Sequence, residues 1–303
     1  MLMSVHGWII VDKPLGISSA GVVGRIKGLA RSAGWGKCKV GHGGTLDPLA
    51  TGVLPIALGE ATKLSGRLLG AVKAYRFKVT FGSATATDDA EGAVVASSDV
   101  RPTGAEVEAV LARFTGPISQ RPPAYSALKV DGERAYARAR AGEDVVLAER
   151  EVTIHLLALT PTPTLKGEGL QSVTLDVVCS KGTYVRSLAR DIALAVGAVG
   201  HVTILCRTRA GPFAEAQSHT LDSLQALCDV GLLADAVLPI TAGLDDIPAL
   251  VVDPDEAAAL KQGRRLAGRP GRSGLHLATL GDMPVALVAV SSEEVRVERG
   301  FNL

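Results

Sequence analysis

Apolar positions alternate with polar ones in some stretches and recur at helical spacing in others, and the elements they predict are mixed along the chain. Trp8 to Val11 reads as a short apolar strand ending at the turn Asp12-Lys13-Pro14-Leu15-Gly16. Ser18 or Ser19 can cap a following helix with Val22, Val23, Ile26 and Leu29 on its buried stripe. Gly41 to Gly52 predicts a glycine-rich loop, followed by the apolar run Val53 to Leu58. Tyr75 to Phe81 alternates as a half-buried strand should. Thr103 with Glu106 is a capping box opening a helix that carries Val107, Val110, Leu111 and Phe114. Arg121-Pro122-Pro123 interrupts regular structure, and Gly132 to Gly142 predicts a mobile polar arm with helical tendency. Val173 to Cys179 is a further strand, and Val185 to Val196 a helix ended by Gly197. Asp253-Pro254 is an N-cap with proline at the first helical position, ahead of strands at Leu275 to Leu280 and Pro284 to Val290. Strands and helices do not alternate regularly, so the expected class is α+β rather than a doubly wound sheet.

Composition sharpens this only in places. A chain of 303 residues with 47% hydrophobic and 21% charged residues has room for one large domain and a small one. The boundary is expected near Asp245 to Pro248, giving units 1–246 and 247–303. The apolar runs are too short to span a bilayer, and the N-terminal stretch lacks the features of a leader, so no membrane and a cytoplasmic location are expected. The four cysteines are far apart without a C-x-x-C pair, and the six histidines form no ligand cluster, so no metal site is expected.

Net charge is +1, but its distribution is uneven. Lys13 to Leu46 holds six Lys or Arg and no acid, and Leu260 to Gly274 holds five more, again without an acid. Glu215 to Glu256 holds nine acids and no Lys or Arg. Such segregation points basic surfaces toward a polyanion.

The stretch Gly41-His-Gly-Gly-Thr-Leu-Asp-Pro-Leu-Ala-Thr-Gly52 is the most informative. Its glycines allow sharp turns and close approach, and Pro48 biases Asp47 toward an extended conformation. A carboxylate presented this way suits a nucleophile or a base, though an Asp before proline also caps turns. The spacing is not that of a phosphate-cradling loop. A serine-hydrolase reading of Gly16-Ile-Ser18-Ser-Ala20 lacks the second glycine of a nucleophile elbow. An RNA-binding or RNA-folding module without catalysis is the other alternative.

With its continuation Val-Leu-Pro-Ile-Ala-Leu-Gly-Glu-Ala-Thr-Lys63, the stretch resembles the signature of the bacterial TruB family of tRNA pseudouridine synthases. Further blocks agree in order: Val11-Asp-Lys-Pro-Leu-Gly-Ile-Ser-Ser19, Arg121-Pro-Pro-Ala-Tyr-Ser-Ala-Leu-Lys129, Cys179-Ser-Lys-Gly-Thr-Tyr-Val-Arg186 and His201-Val-Thr-Ile-Leu-Cys-Arg207. The resemblance implies a pseudouridine synthase fold, with a central mixed and largely antiparallel sheet and a small β-rich, PUA-like C-terminal domain. It implies isomerisation of the T-loop uridine numbered 55 in tRNA, by flipping the base, cleaving the C1′–N1 bond and rejoining at C5. Neither cofactor nor metal is needed, because uracil is both leaving group and acceptor.

Asp47 is then the catalytic aspartate, and His42 fills the space the base leaves. Tyr75 stacks on the flipped base, an interaction worth roughly 1–3 kcal/mol. Arg186 pairs with Asp47, and a guanidinium there would favour the charged carboxylate despite burial. Tyr184 lies two residues before Arg186, so an extended chain would put both on one face. Leu205 packs near the base, Asp89 touches the RNA loop, and Lys13 and Lys63 either meet phosphate or carboxylate groups or are simply solvated. Ala86 stands where the family often has an aspartate. The partner is the T-arm stem-loop, held in part by an RNA-binding arm over about residues 124–146, and the enzyme is expected to be a monomer.

Overall fold

The computed structural model describes residues 5–126, 128–130, 132–143, 145–160 and 169–303. Within the expected arm, positions 127, 131 and 144 and the Lys129 side chain lie outside the described residues.

A nine-stranded sheet organises the larger part of the chain. Its main path runs Gly7–Lys13, Ala50–Leu58, Gly200–Ala210, Lys73–Phe81, Ser172–Cys179, Arg150–Leu159, Gly116–Gln120. Of its pairings only that between Ala50–Leu58 and Gly200–Ala210 is parallel, so the sheet is mixed and largely antiparallel. The first strand extends beyond its apolar run to Lys13, because the ladder with Ala50–Leu58 continues to the pair Lys13 and Gly52. Ala50, Thr51 and Gly52 accordingly belong to a strand and not to the preceding loop.

One face of this sheet is covered by the helices Ser19–Ser32, Gly104–Leu111, Val185–Ala195 and Leu221–Asp229, which enclose the main core around Ile26, Phe77, Leu175 and Ile192. In Lys73–Phe81 the alternation puts Phe77, Val79 and Phe81 inside and leaves Arg76 outside. Ser18 is the cap of the first helix and accepts from the Gly21 amide at 3.0 Å. The capping boxes Thr103 with Glu106 and Asp253 with Glu256 are both present, each satisfying amides that the first helical turn leaves unpaired. Gly197, at φ 73°, follows the end of Val185–Ala195. The helical tendency after Gly132 is realised as Ala135–Arg140, behind the short pair Lys129–Val130 and Glu133–Arg134.

The C-terminal part forms a separate five-stranded sheet, Ala249–Val251, Gly274–Leu280, Met283–Val290, Glu294–Gly300, Leu266–Ala267, on which Pro254–Lys261 packs. It is fused to the larger unit by a shared apolar cluster. Leu277, Leu287 and Phe301 meet Trp8, Ile10, Leu64 and Phe213, so the contact resembles a core. Among the described residues no helix is long and apolar enough to cross a membrane.

Candidate active site

The loop carrying Asp47 is clamped from several sides by strands and helices of the large sheet. Ser19, buried at the start of its helix, accepts from the Leu46 amide at 2.8 Å and donates to the Leu46 carbonyl at 3.0 Å. Lys13, with none of its surface exposed, donates to the carbonyls of Pro14, Ile17 and Pro48 at 2.9, 2.7 and 3.3 Å. Burial pushes its amine below the usual lysine value, with the Asp47 charge opposing. Arg207, 1% exposed, donates to Gly44, Thr45 and Val53 carbonyls at 3.0, 3.4 and 2.8 Å. Gly52, at φ 94°, lets the strand pass Arg207 closely: a Cβ there would lie 2.3 Å from the Arg207 carbonyl oxygen. The Asp47 carboxylate is therefore delivered by a backbone fixed at residues 44–46 and 48, a geometry that limits reorganisation before reaction.

Arg186 closes the arrangement. Its Nη2 lies 2.9 Å from Asp47 Oδ2 and its Nη1 3.1 Å from Asp89 Oδ2. The same guanidinium donates to the Thr87 and Tyr125 carbonyls at 2.9 and 3.1 Å. A cation in the first turn of Val185–Ala195 faces the positive end of the helix dipole, and the two carboxylates offset that cost. Asp47 keeps 44% of its side chain exposed against 7% for Arg186, so its charge faces open space and is not buried as expected. Tyr184 and Arg186 do not share a face through an extended chain. The strand ends at Cys179, and Tyr184 is the N-cap of the helix whose first turn carries Arg186.

Two adjoining clefts meet at Asp47, Arg186 and Ser126. The smaller, about 330 Å³, is lined by Asp47, Tyr75, Tyr184, Arg186, Leu205 and Arg207 among others. Tyr75 is register partner of Arg207, and Leu205 of Phe77 and Ala50, so the strand Gly200–Ala210 supplies the cleft's floor. Burial pushes the Tyr75 phenol up, which keeps the ring uncharged and suited to stacking on a base. The larger cleft, about 970 Å³, is lined by His42, Asp89, Tyr125, Arg134, Tyr136 and Arg140, and by Asp47 and Arg186 from its other side. His42 Nδ1 is buried with no hydrogen-bond partner among the described residues, and burial lowers the ring's pKa, with Arg207 adding to the effect.

Three residues expected at the substrate meet protein groups, and Lys63 meets a carboxylate as expected. Lys13 is a buried tie under the loop, its amine taken up by three backbone carbonyls. Lys63 bonds Glu60 at 2.6 Å and the Gly300 carbonyl at 2.8 Å, tying the helical turn Gly59–Leu64 to the C-terminal sheet, and it lines neither cleft that holds Asp47. Asp89 is 2% exposed and accepts from Arg186, Thr87 and the Glu91 amide, so it acts on the site through Arg186. In the basic run of the tail, Arg265 and Arg269 are paired with Glu294 and Glu256, which reduces the charge available to a polyanion. Arg207 closes the stretch His201–Arg207, and nothing local in the sequence singles it out; only the fold buries it under the Asp47 loop.

The Ser19 clamp carries a direct consequence. Ser19→Ala leaves the buried Leu46 amide unpaired, so stability should fall by about 1–3 kcal/mol in urea titration, with slower single-turnover modification by the folded fraction.

The TruB family pseudouridylate synthase N-terminal domain matches residues 32–185, and the tRNA pseudouridylate synthase B C-terminal domain matches residues 186–245. A tRNA pseudouridine synthase B of Novosphingobium aromaticivorans is 57% identical over 299 residues, covering 99% of this chain and 98% of the relative. The chain belongs to the TruB family. The counterpart from Zymomonas mobilis subsp. mobilis is 51% identical, covering 99% of this chain and 97% of that protein. A solved structure described as an H/ACA RNP bound to a substrate RNA containing 2'-deoxyuridine superposes with a TM-score of 0.71 at 27% identity, covering 98% of this chain and 85% of that chain. A Cbf5-Nop10-Gar1 complex gives 0.71 at 29% identity over the same shares of each chain. The fold is thus that of the TruB and Cbf5 pseudouridine synthases, and this TruB-family chain is an isomerase that makes pseudouridine from uridine in tRNA.

Proposed function

We propose that the uridine converted is the one numbered 55 in the T-loop, and that Asp47 is the catalytic residue. The observation that carries this is the Asp47–Arg186 pair at 2.9 Å, open to a cleft lined by Tyr75, Tyr184 and Leu205. A stacked uridine cannot present its glycosidic bond to a carboxylate held this way, so the base must leave the stack and enter the cleft. Tyr75 and Leu205 would sandwich the ring, and His42 would take the vacated place in the loop. Asp47 would drive cleavage of the C1′–N1 bond; the freed uracil turns and its C5 bonds C1′, while C5 loses its proton to solvent and N1 takes one up. Atoms balance without an added reagent.

The larger cleft beside Asp47 would take the rest of the loop, with the arm of residues 124–146 over the stem phosphates. Recognition of the stem then rests on shape and charge, and bases are read only where they are unpaired. Residues 247–303 would serve as a PUA-like RNA-binding domain. The enzyme would act as a monomer in the cytoplasm.

Mapping pseudouridine in a full-length tRNA after carbodiimide treatment tests the position. One stop at the T-loop uridine is expected, lost when that base is cytidine. Modification elsewhere in the tRNA with the T-loop uridine untouched would refute the assignment.

A further inference from the structure

The turn that carries Asp89 contains the one non-glycine residue with positive φ among those described, Asp88 at 59°. Aspartate tolerates this region better than most residues, but the conformation persists only where its surroundings hold it. Two contacts do so. The Asp88 carbonyl accepts from the Val202 amide at 3.1 Å, and its carboxylate Oδ2 lies 2.8 Å from Arg190 Nη1. Through the left-handed turn, the consecutive carboxylates of Asp88 and Asp89 diverge to Arg190 and Arg186, one turn apart on the same helix. Arg190 also donates through Nη2 to the Arg121 carbonyl at 3.0 Å, as Arg186 does to that of Tyr125. Its Nε bonds Asp191 at 2.9 Å, so all three guanidinium nitrogens are used.

We propose that Arg190 and Asp88 form a positioning latch that fixes the 85–89 turn and the root of the arm on one helix, holding Asp89 and thereby Arg186 in register with Asp47. The latch rests on the reading of Asp47 as the catalytic residue. Neither Arg190 nor Asp88 lines the cleft that holds Tyr75, so neither is catalytic. Their effect on the reaction passes through the Asp89–Arg186 contact. A bond that served stability alone would change the folded fraction and leave the rate per folded molecule alone.

The test uses the full-length enzyme and a T-arm stem-loop, with single-turnover rates and affinities measured for Arg190→Gln, Asp88→Asn and the double variant. The rate constant should fall about tenfold in each single variant with affinity changed much less, and the double should be no slower than either, the behaviour of two members of one network. Asp88→Gly, which relaxes the backbone but removes the carboxylate, should lose as much as Asp88→Asn. Unchanged rates in the single variants, or losses that simply multiply in the double, would overturn the latch. Asp47→Asn is measured alongside: if it stays active, the catalytic reading fails and the latch with it, whereas a dead Asp47→Asn beside unimpaired Arg190 variants defeats the latch alone.

Discussion

Asp47→Asn is expected to abolish pseudouridine formation while the T-arm stem-loop still binds. The substitution is nearly isosteric, and Ser19, Lys13 and Arg207 hold the loop by its backbone, so the fold should survive. What it removes is the negative charge facing the cleft beside Arg186. With Asp47 as the proposed catalytic residue, its loss should lower the single-turnover rate by on the order of 10³-fold or more. Affinity for the stem-loop should stay within a few-fold by filter binding. An RNA-binding module without catalysis would show the opposite pattern, indifferent to Asp47 and sensitive to its basic surface.

Arg186→Lys should lose on the order of 10²–10³-fold in rate, the scale seen when one fixed donor at a reacting centre is withdrawn. The side chain keeps a positive charge, but one ammonium cannot span Asp47, Asp89 and the Thr87 and Tyr125 carbonyls as the guanidinium fork does. Arg186→Met is expected to be worse for a different reason. It strands the buried Asp89 carboxylate without its cation, and breaking a buried pair from one side costs about 3–5 kcal/mol. Urea titration should therefore separate the two variants: Lys mostly slow, Met both slow and unstable.

The features that local chemistry dictates were readable in the sequence. The Thr103–Glu106 capping box, the Asp253 cap, the glycine after Val185–Ala195, the alternation in Lys73–Phe81 and the glycine-rich turn around Asp47 all follow from neighbours a few residues apart. The misplaced expectations concern residues whose surroundings come from far along the chain. Lys13 reads as a solvated cation until Pro48 and the strand Ala50–Leu58 fold over it. Asp89 reads as a contact to the RNA loop until the helix beginning at Val185 brings Arg186 to it. The strand Gly200–Ala210, which sets both Leu205 and Arg207 under the site, has its two-residue period broken by irregularities at Val202/Ile204 and Arg207/Arg209, so its pattern does not announce it. Arg207 was hidden for the same reason, since a charged residue in a broken pattern looks exposed.

The most direct test is tritium release from a T-arm stem-loop labelled at C5 of its target uridine. Isomerisation that rejoins the base through C5 must expel that hydrogen, so the folded enzyme should release one tritium per RNA and Asp47→Asn none, with the RNA bound in both cases. No release by the intact enzyme, or equal release by Asp47→Asn, would contradict the account.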